Sequence, residues 1–383
     1  MNDSYFYRVL LVPAAVFLSV VFGASYGSGR EVVQFVSING PTGGLVSVLT
    51  VATVYALLLA ISFEIARMFK AFEYVGFFKV LLRRGWFLYE IVILIGMIIA
   101  LSITTTVGGT VLEDHFGIAV WIGSLLIFGF VVVLNYYGQK IVEKSMMLSV
   151  AALFVVLAIL VAQLVSGHVD RVVEAFSTQE HITGGVMTGL KYAVSNGGYL
   201  PLLLFCVIGL QSRREAFTAG IFAASIAVIP AIVFHFSFMV GYPSIIDERL
   251  PAYWLFQNVS TPFMLNVYVV VMFVLVAQTG VGLLQGLIQR LDSWQRNRSG
   301  QPMTKLGHGG VAAFMIATSL ALGSMGIVAL ILRGYTIMFY SFIVVYIVPL
   351  MTYGIYLVVR GKPTSDSTIT GPNIPETRPL ASQ

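Results

Sequence analysis

Apolar residues fill helix-length stretches along almost the whole chain, and charge is confined to the gaps between them. The stretches fall at about 6–38, 43–69, 86–110, 115–137, 141–166, 184–211, 214–241, 262–289, 309–332 and 335–360. Each comes near the roughly 20 residues that a helix needs to cross a bilayer. The pattern predicts an all-α polytopic membrane protein of ten transmembrane helices. Two stretches are interrupted. Residues 22–30, Phe-Gly-Ala-Ser-Tyr-Gly-Ser-Gly-Arg, break the first, and Ser195-Asn196-Gly197-Gly198-Tyr199-Leu200-Pro201 breaks the sixth. Glycine at mid-membrane loosens a helix and frees backbone polar groups, which hydrocarbon tolerates only where they face protein, water or a ligand.

Composition sharpens the membrane reading. Of 383 residues, 58% are hydrophobic and 10% charged, and the mean hydropathy is +0.90; a soluble domain carries about 25% charged residues. The isoelectric point near 9.2 reflects basic membrane loops, not a nucleic-acid surface. The single cysteine, Cys206, excludes a disulfide framework and reads as core. Arg8 followed by Val9–Phe22 has the outline of a cleavable signal peptide, but its removal would leave an odd number of spans.

Charge also orients the spans. Seventeen of the 22 Lys and Arg fall on one side, and only Arg30, Arg171, Lys191, Arg249 and Arg333 fall on the other. The positive-inside rule then places both termini of this multi-pass chain in the cytoplasm. The loop 167–183 separates five spans (1–166) from five more (184–360), and residues 361–383 read as a disordered cytoplasmic tail. Halves with an odd number of spans enter the membrane from opposite sides, so a shared fold would make them an inverted repeat. Residues 70–85 read as an interfacial amphipathic helix, and residues 242–261 as an outer loop, either a lid or a plain surface segment. Paired interruptions in two such halves point to a substrate site in a secondary transporter.

The five-plus-five topology with a broken first helix in each half resembles the LeuT fold of the amino acid–polyamine–organocation superfamily. Gly23, Gly27 and Gly29 match that family's Gly-x-x-x-Gly-x-Gly break, and Asn196, Gly198 and Tyr199 fit its polar–glycine–aromatic run in helix six. More narrowly, the chain resembles the YkvI-type bacterial membrane proteins. The resemblance covers residues 5–360 and implies a substrate between the breaks. Its ligands would be Ser25, Tyr26, Gly27, Ser28 and Gly29 with Asn196, Gly197, Gly198 and Tyr199, and freed amides at Gly27–Gly29 would receive an anionic group. It also implies a sodium site of the Gly23 and Tyr26 carbonyls with Thr279. The family often has two adjacent hydroxyl residues there, and this chain has one. Related proton-coupled members carry a lysine in the middle of span five, where this chain has none. Sodium is the favoured coupling ion, with proton coupling and no coupling kept open. No other cofactor is implied.

The remaining polar residues carry alternatives. Intramembrane charge is costly and usually functional, so Arg30, Glu31, Glu64 and Glu90 are candidate gating residues; Glu64 and Glu90 have Arg67, Arg83 and Arg84 as possible partners. Lys191 either binds a substrate carboxylate, pairs with Glu31, or snorkels to the interface. His235 reads as a hydrogen-bonded core residue or a proton relay. Ser102, Thr104, Thr105 and Thr106 of span three, and Tyr340 and Ser341 of span ten, are candidate cavity-lining groups. No nucleophile–base pair or metal cluster stands out, so an enzyme is not expected. The expected partners are a small polar or zwitterionic solute, such as an amino acid or related amine, and lipid. Nucleic acid is not expected, and the oligomeric state is left open. The alternative to a transporter is a solute sensor of germinant-receptor type.

Overall fold

The computed structural model describes residues 5–137, 154–163, 166–178, 184–301 and 303–360. The described residues form helices and short connections. α1 spans Phe6–Val21 and buries Val9, Ala14, Phe17, Leu18 and Val21. It stops at Phe22 because Gly23 is extended, with φ −90° and ψ −178°. A single turn, α2 (Ala24–Gly27), follows; Gly29 then adopts the left-handed conformation (φ +78°) from which α3 (Arg30–Phe35) starts. α4 (Gly40–Phe69) carries Pro41 in its first turn, where the missing N–H costs nothing.

The first interruption is therefore narrower than the expected 22–30, since Ala24–Gly27 close a helical turn. The second differs more. α10 (Gly185–Gly197) stays helical through Ser195 and Asn196, and then tightens into a 3-10 helix over Leu200–Val207. Tyr199 N–H donates to Asn196 O at 3.1 Å and Leu202 N–H to Tyr199 O at 3.1 Å. Local i→i+3 bonds thus absorb the groups that glycine would have freed.

Among the described residues, six helical segments are long and apolar enough to cross a membrane: Arg30–Phe69, Tyr74–Phe116, Arg213–Gly241, Pro262–Arg296, Leu306–Gly323 and Ile327–Arg360. Three shorter apolar helices join them: α1, Val120–Asn135 and Phe154–Gln163 (α8). By length and composition this falls short of ten. The expected fifth span lies largely outside the described residues, the two interrupted spans are divided, and the fourth expected stretch loses 115–116 to the preceding helix and 117–119 to a turn. Chain order then gives α5 (Tyr74–Leu82), α6 (Trp86–Phe116), α7 (Val120–Tyr137), α9 (Val169–Thr178), α11 (Arg213–Phe238), α12 (Pro251–Val259), α13 (Pro262–Ser299), α14 (Lys305–Gly323) and α15 (Ile327–Phe342), with α16 (Ile355–Arg360) at the end. The expected boundary near 332–335 sits earlier. α14 ends at Gly323 and Gly326, at φ +80°, turns the chain into α15. Arg333 is consequently inside a helix.

Packing centres on two helices. α4 lies along α10 and α11, and α6 contacts α7, α13, α14 and α15. Small residues permit the approach: a Cβ on Gly189 would stand 2.6 Å from Ser47 O, and one on Gly220 2.6 Å from Ala60 N. α5 fills the expected interfacial position, but Phe77 and Phe78 are fully buried against Tyr89 and Tyr346 rather than facing lipid.

Candidate functional site

Where α1 stops and α10 changes character, a cavity of about 140 Å³ opens. Gly23, Ala24 and Ser25 form one wall, and Ser195, Asn196 and Tyr199 face it from α10 and the turn beyond. Thr104 of α6, Thr279 and Leu283 of α13, and Gly334, Tyr335 and Met338 of α15 complete the surround. Glu31 of α3 is the acidic group in this lining; among the described residues the lining contains no Lys, Arg or His. The two interrupted segments thus do meet around a partly open space lined by both polar and apolar groups.

The backbone of the first break is not as open as its glycines predict. Gly27 N–H donates to Gly23 O, Ser28 N–H to Ala24 O and Gly29 N–H to Tyr26 O, at 2.8–3.1 Å. The expected freed amides are consumed by the α2 turn, because four residues suffice to close it. The carbonyls are taken too: Ser28 Oγ donates to Ser25 O at 2.7 Å, Tyr268 Oη to Gly27 O at 3.2 Å, and Ala252 N–H to Ser28 O at 3.0 Å. An anion has no row of free donors here.

Several expected ligands lie outside the cavity lining. Gly27 faces Leu275 and Met272 of α13, and Gly29 faces Phe238 and Ala252. Gly197 abuts Leu58, and Gly198 abuts the Phe342 ring while its carbonyl accepts from Tyr89 Oη at 2.9 Å. These glycines permit close packing instead of ligation. Lys191 is half-buried and takes part in no ion pair among the described residues, so the anticipated pair with Glu31 is not formed. Of the span-three hydroxyls only Thr104 reaches the lining, and all four bond back to carbonyls of their own helix. Tyr340 is 61% exposed and points away.

The charged residues find other partners. Arg30 is buried, and its Nη1 donates to Ile246 O (2.8 Å) and Glu248 O (2.7 Å) and its Nη2 to Gln34 (2.7 Å), so it holds the 242–250 segment and pairs neither with Glu31 nor with the last span. Glu64 receives both Nε and Nη2 of Arg67, as the spacing suggested. Glu90 pairs with Arg290 at 2.9 Å, not with Arg83 or Arg84. His235 is a core residue bonded to Ser37 Oγ and Pro41 O.

Two groups go unmarked by their local sequence. Tyr335 lines the cavity, its carbonyl accepting from Ser195 Oγ at 2.8 Å. Tyr192 stacks on Tyr335 with ring planes 3° apart. The turn at Gly326 was the available signal, since it sets which face of α15 looks inward. Gly23 stands against Thr279, a Cβ there reaching 3.9 Å from its Oγ1.

No family model matches the chain, and no curated protein matches it. Among solved structures, the chain is similar to a manganese transporter of Eremococcus coleocola in complex with an aromatic bis-isothiourea compound. The TM-score is 0.51 at 13% identity, over 94% of this chain and 85% of that one. Two further solved structures match at lower scores. One is a Na⁺-coupled sialic acid symporter in a substrate-bound outward-open state (0.47; 15% identity; 94% and 92% covered). The other is Mhp1 in an inward-facing conformation (0.41; 12% identity; 91% and 72% covered). The manganese transporter likeness shows the fold, an all-α multi-pass membrane fold of LeuT type.

Proposed function

We propose that this chain is a secondary transporter of the amino acid–polyamine–organocation superfamily that moves a small polar solute, of amino acid or amine type, across a bacterial inner membrane by alternating access. The observation that carries the reading is the cavity between Gly23–Ser25 and Ser195–Tyr199, where two interrupted segments converge. Irregular backbone at membrane depth is tolerated where it lines such a space. The two halves, 1–166 and 184–360, are the rocking units, with both termini cytoplasmic. The test is uptake of radiolabelled amino acids and amines into liposomes containing the purified chain. Saturable uptake with counterflow is expected; binding with no uptake of any bound solute would leave a sensor instead.

Sodium is the proposed coupling ion. Support comes from Thr279 standing beside Gly23 in the cavity wall, which puts a hydroxyl oxygen, a hard ligand suited to an alkali cation, next to the first break. Thr279→Ala should raise the sodium concentration giving half-maximal uptake several-fold. Unchanged uptake in potassium buffer at fixed pH would remove sodium from the mechanism.

A further inference from the structure

Five buried polar atoms without a hydrogen-bond partner gather beside the cavity: Ser25 Oγ, Glu31 Oε2 and the hydroxyls of Tyr26, Tyr55 and Tyr192. Glu31 is 4% exposed, and Ser25, Tyr192 and Tyr335 present their hydroxyls toward its carboxylate. The Tyr26, Tyr55 and Tyr192 hydroxyls lie within electrostatic reach of the same carboxylate. The nearest cation in sequence, Arg30, is turned away toward Ile246, Glu248 and Gln34. A carboxylate buried without a counter-charge, with only neutral hydroxyls and aromatic faces around it, is incomplete by itself. An ammonium group answers each deficit: it carries the opposite charge, supplies up to three N–H donors, and is attracted to tyrosine faces.

The rest of the cavity defines the rest of the ligand. Beyond Glu31 the walls mix apolar side chains, among them Ile99, Ile103, Leu283 and Met338, with neutral polar ones, among them Thr104, Asn196 and Thr279. No cationic side chain lines the cavity among the described residues, and the amides of the first break are already bonded. A substrate carboxylate would therefore meet only neutral donors there, with no counter-charge and with the Glu31 carboxylate beside it. We propose that Glu31 is the ammonium-binding subsite and that the substrate is a small monocationic amine with an apolar body, not a zwitterion or an anion. The proposal rests on the transporter reading only in taking this cavity as the substrate site.

Two matched series of ligands test it by thermal shift on the purified full-length chain. Isopentylamine, leucine and 4-methylpentanoate share one branched body and differ only in charged groups; isobutylamine, valine and 3-methylbutanoate form a shorter set. Concentration-dependent stabilisation is expected from the amines alone. Glu31→Gln should weaken amine binding at least tenfold, the scale of one charge-assisted hydrogen bond, with Glu31→Asp recovering part of it. Tyr335→Phe keeps the ring and should weaken binding less, which provides a second reading should Glu31→Gln fail to fold.

Equal or stronger stabilisation by leucine, valine or the acids would overturn the proposal. So would silence of both amines, amine affinity unchanged in Glu31→Gln, or sodium or Mn²⁺ alone stabilising the wild type and not Glu31→Gln. Uptake of labelled amine in liposomes separates the two readings. Amine binding without transport would remove the transporter and keep the subsite; transport of leucine unaffected by Glu31→Gln would do the reverse.

Discussion

At the scale of single residues, the glycines of the two breaks act by what they allow to come close. Gly29 combines φ +78° with direct apposition to the Phe238 ring and the Ala252 backbone. An L side chain in that conformation costs roughly 1–2 kcal/mol before any clash. Gly29→Ala should therefore lower the melting temperature by at least about 2 °C and abolish uptake, whereas Gly23→Ala, which meets Thr279 only at ordinary contact distance, should be tolerated in folding and read out in sodium dependence. A melting curve and an uptake assay on both variants check the contrast. The same residues show how far sequence reaches. That Gly23 and Gly29 end and restart helices was legible, because glycine spacing reports backbone freedom. That Gly27 packs on Met272 and Leu275 was not, since contact partners depend on which way α13 approaches.

At the scale of elements, two polar clasps hold helix ends together. On one side, Glu64 is buried beneath Arg67, which also reaches Gln211 O at 3.3 Å, while Arg8 pairs with Glu215 at 2.9 Å and also reaches Gly209 O. Removing one partner of a buried pair leaves an uncompensated charge, at a cost of about 3–5 kcal/mol, while replacing both with apolar groups is far milder. Arg67→Ala should thus depress thermal stability more than the double change Glu64→Leu/Arg67→Met, measured in the same detergent. On the other side Arg30 grips Ile246 O and Glu248 O with its planar fork. Lysine cannot reproduce that geometry, so Arg30→Lys should speed amide exchange across residues 246–252 roughly tenfold or more. Pairing in sequence was readable where partners lie three residues apart, as for Glu64 and Arg67. It was unreadable for Glu90 with Arg290, or Arg30 with Ile246, because each joins residues about 200 apart that only the assembled bundle brings into reach.

At the scale of the whole molecule, hydropathy alone yields the all-α membrane class, and paired glycine breaks locate the cavity. The sequence overstated the second break, because Pro201 and Gly198 produce a switch to 3-10 geometry without opening the backbone. It also misplaced the last turn by several residues, and with it the choice of inward-facing side chains on α15. In the proposed alternating-access cycle, the Arg30 clasp and the Arg8–Glu215 and Arg67–Glu64 clasp hold opposite ends of the bundle. Weakening them should shift the resting state in opposite directions. A cysteine at Ser25 in a Cys206→Ser background, probed in oriented vesicles, should become more accessible from the outer face in Arg30→Lys and from the inner face in Glu215→Gln. Identical accessibility in both variants would separate the clasps from the cycle.

The bond from Ala252 N–H to Ser28 O ties α12 directly to the interrupted first segment, with no intervening side chain. On the proposed orientation α12 belongs to an extracellular surface that an antibody fragment can reach. Such a fragment raised against residues 242–261 would act as a state-selective handle: its affinity should rise or fall as ligand fills the cavity beneath, and by reciprocity it should trap one conformer for imaging.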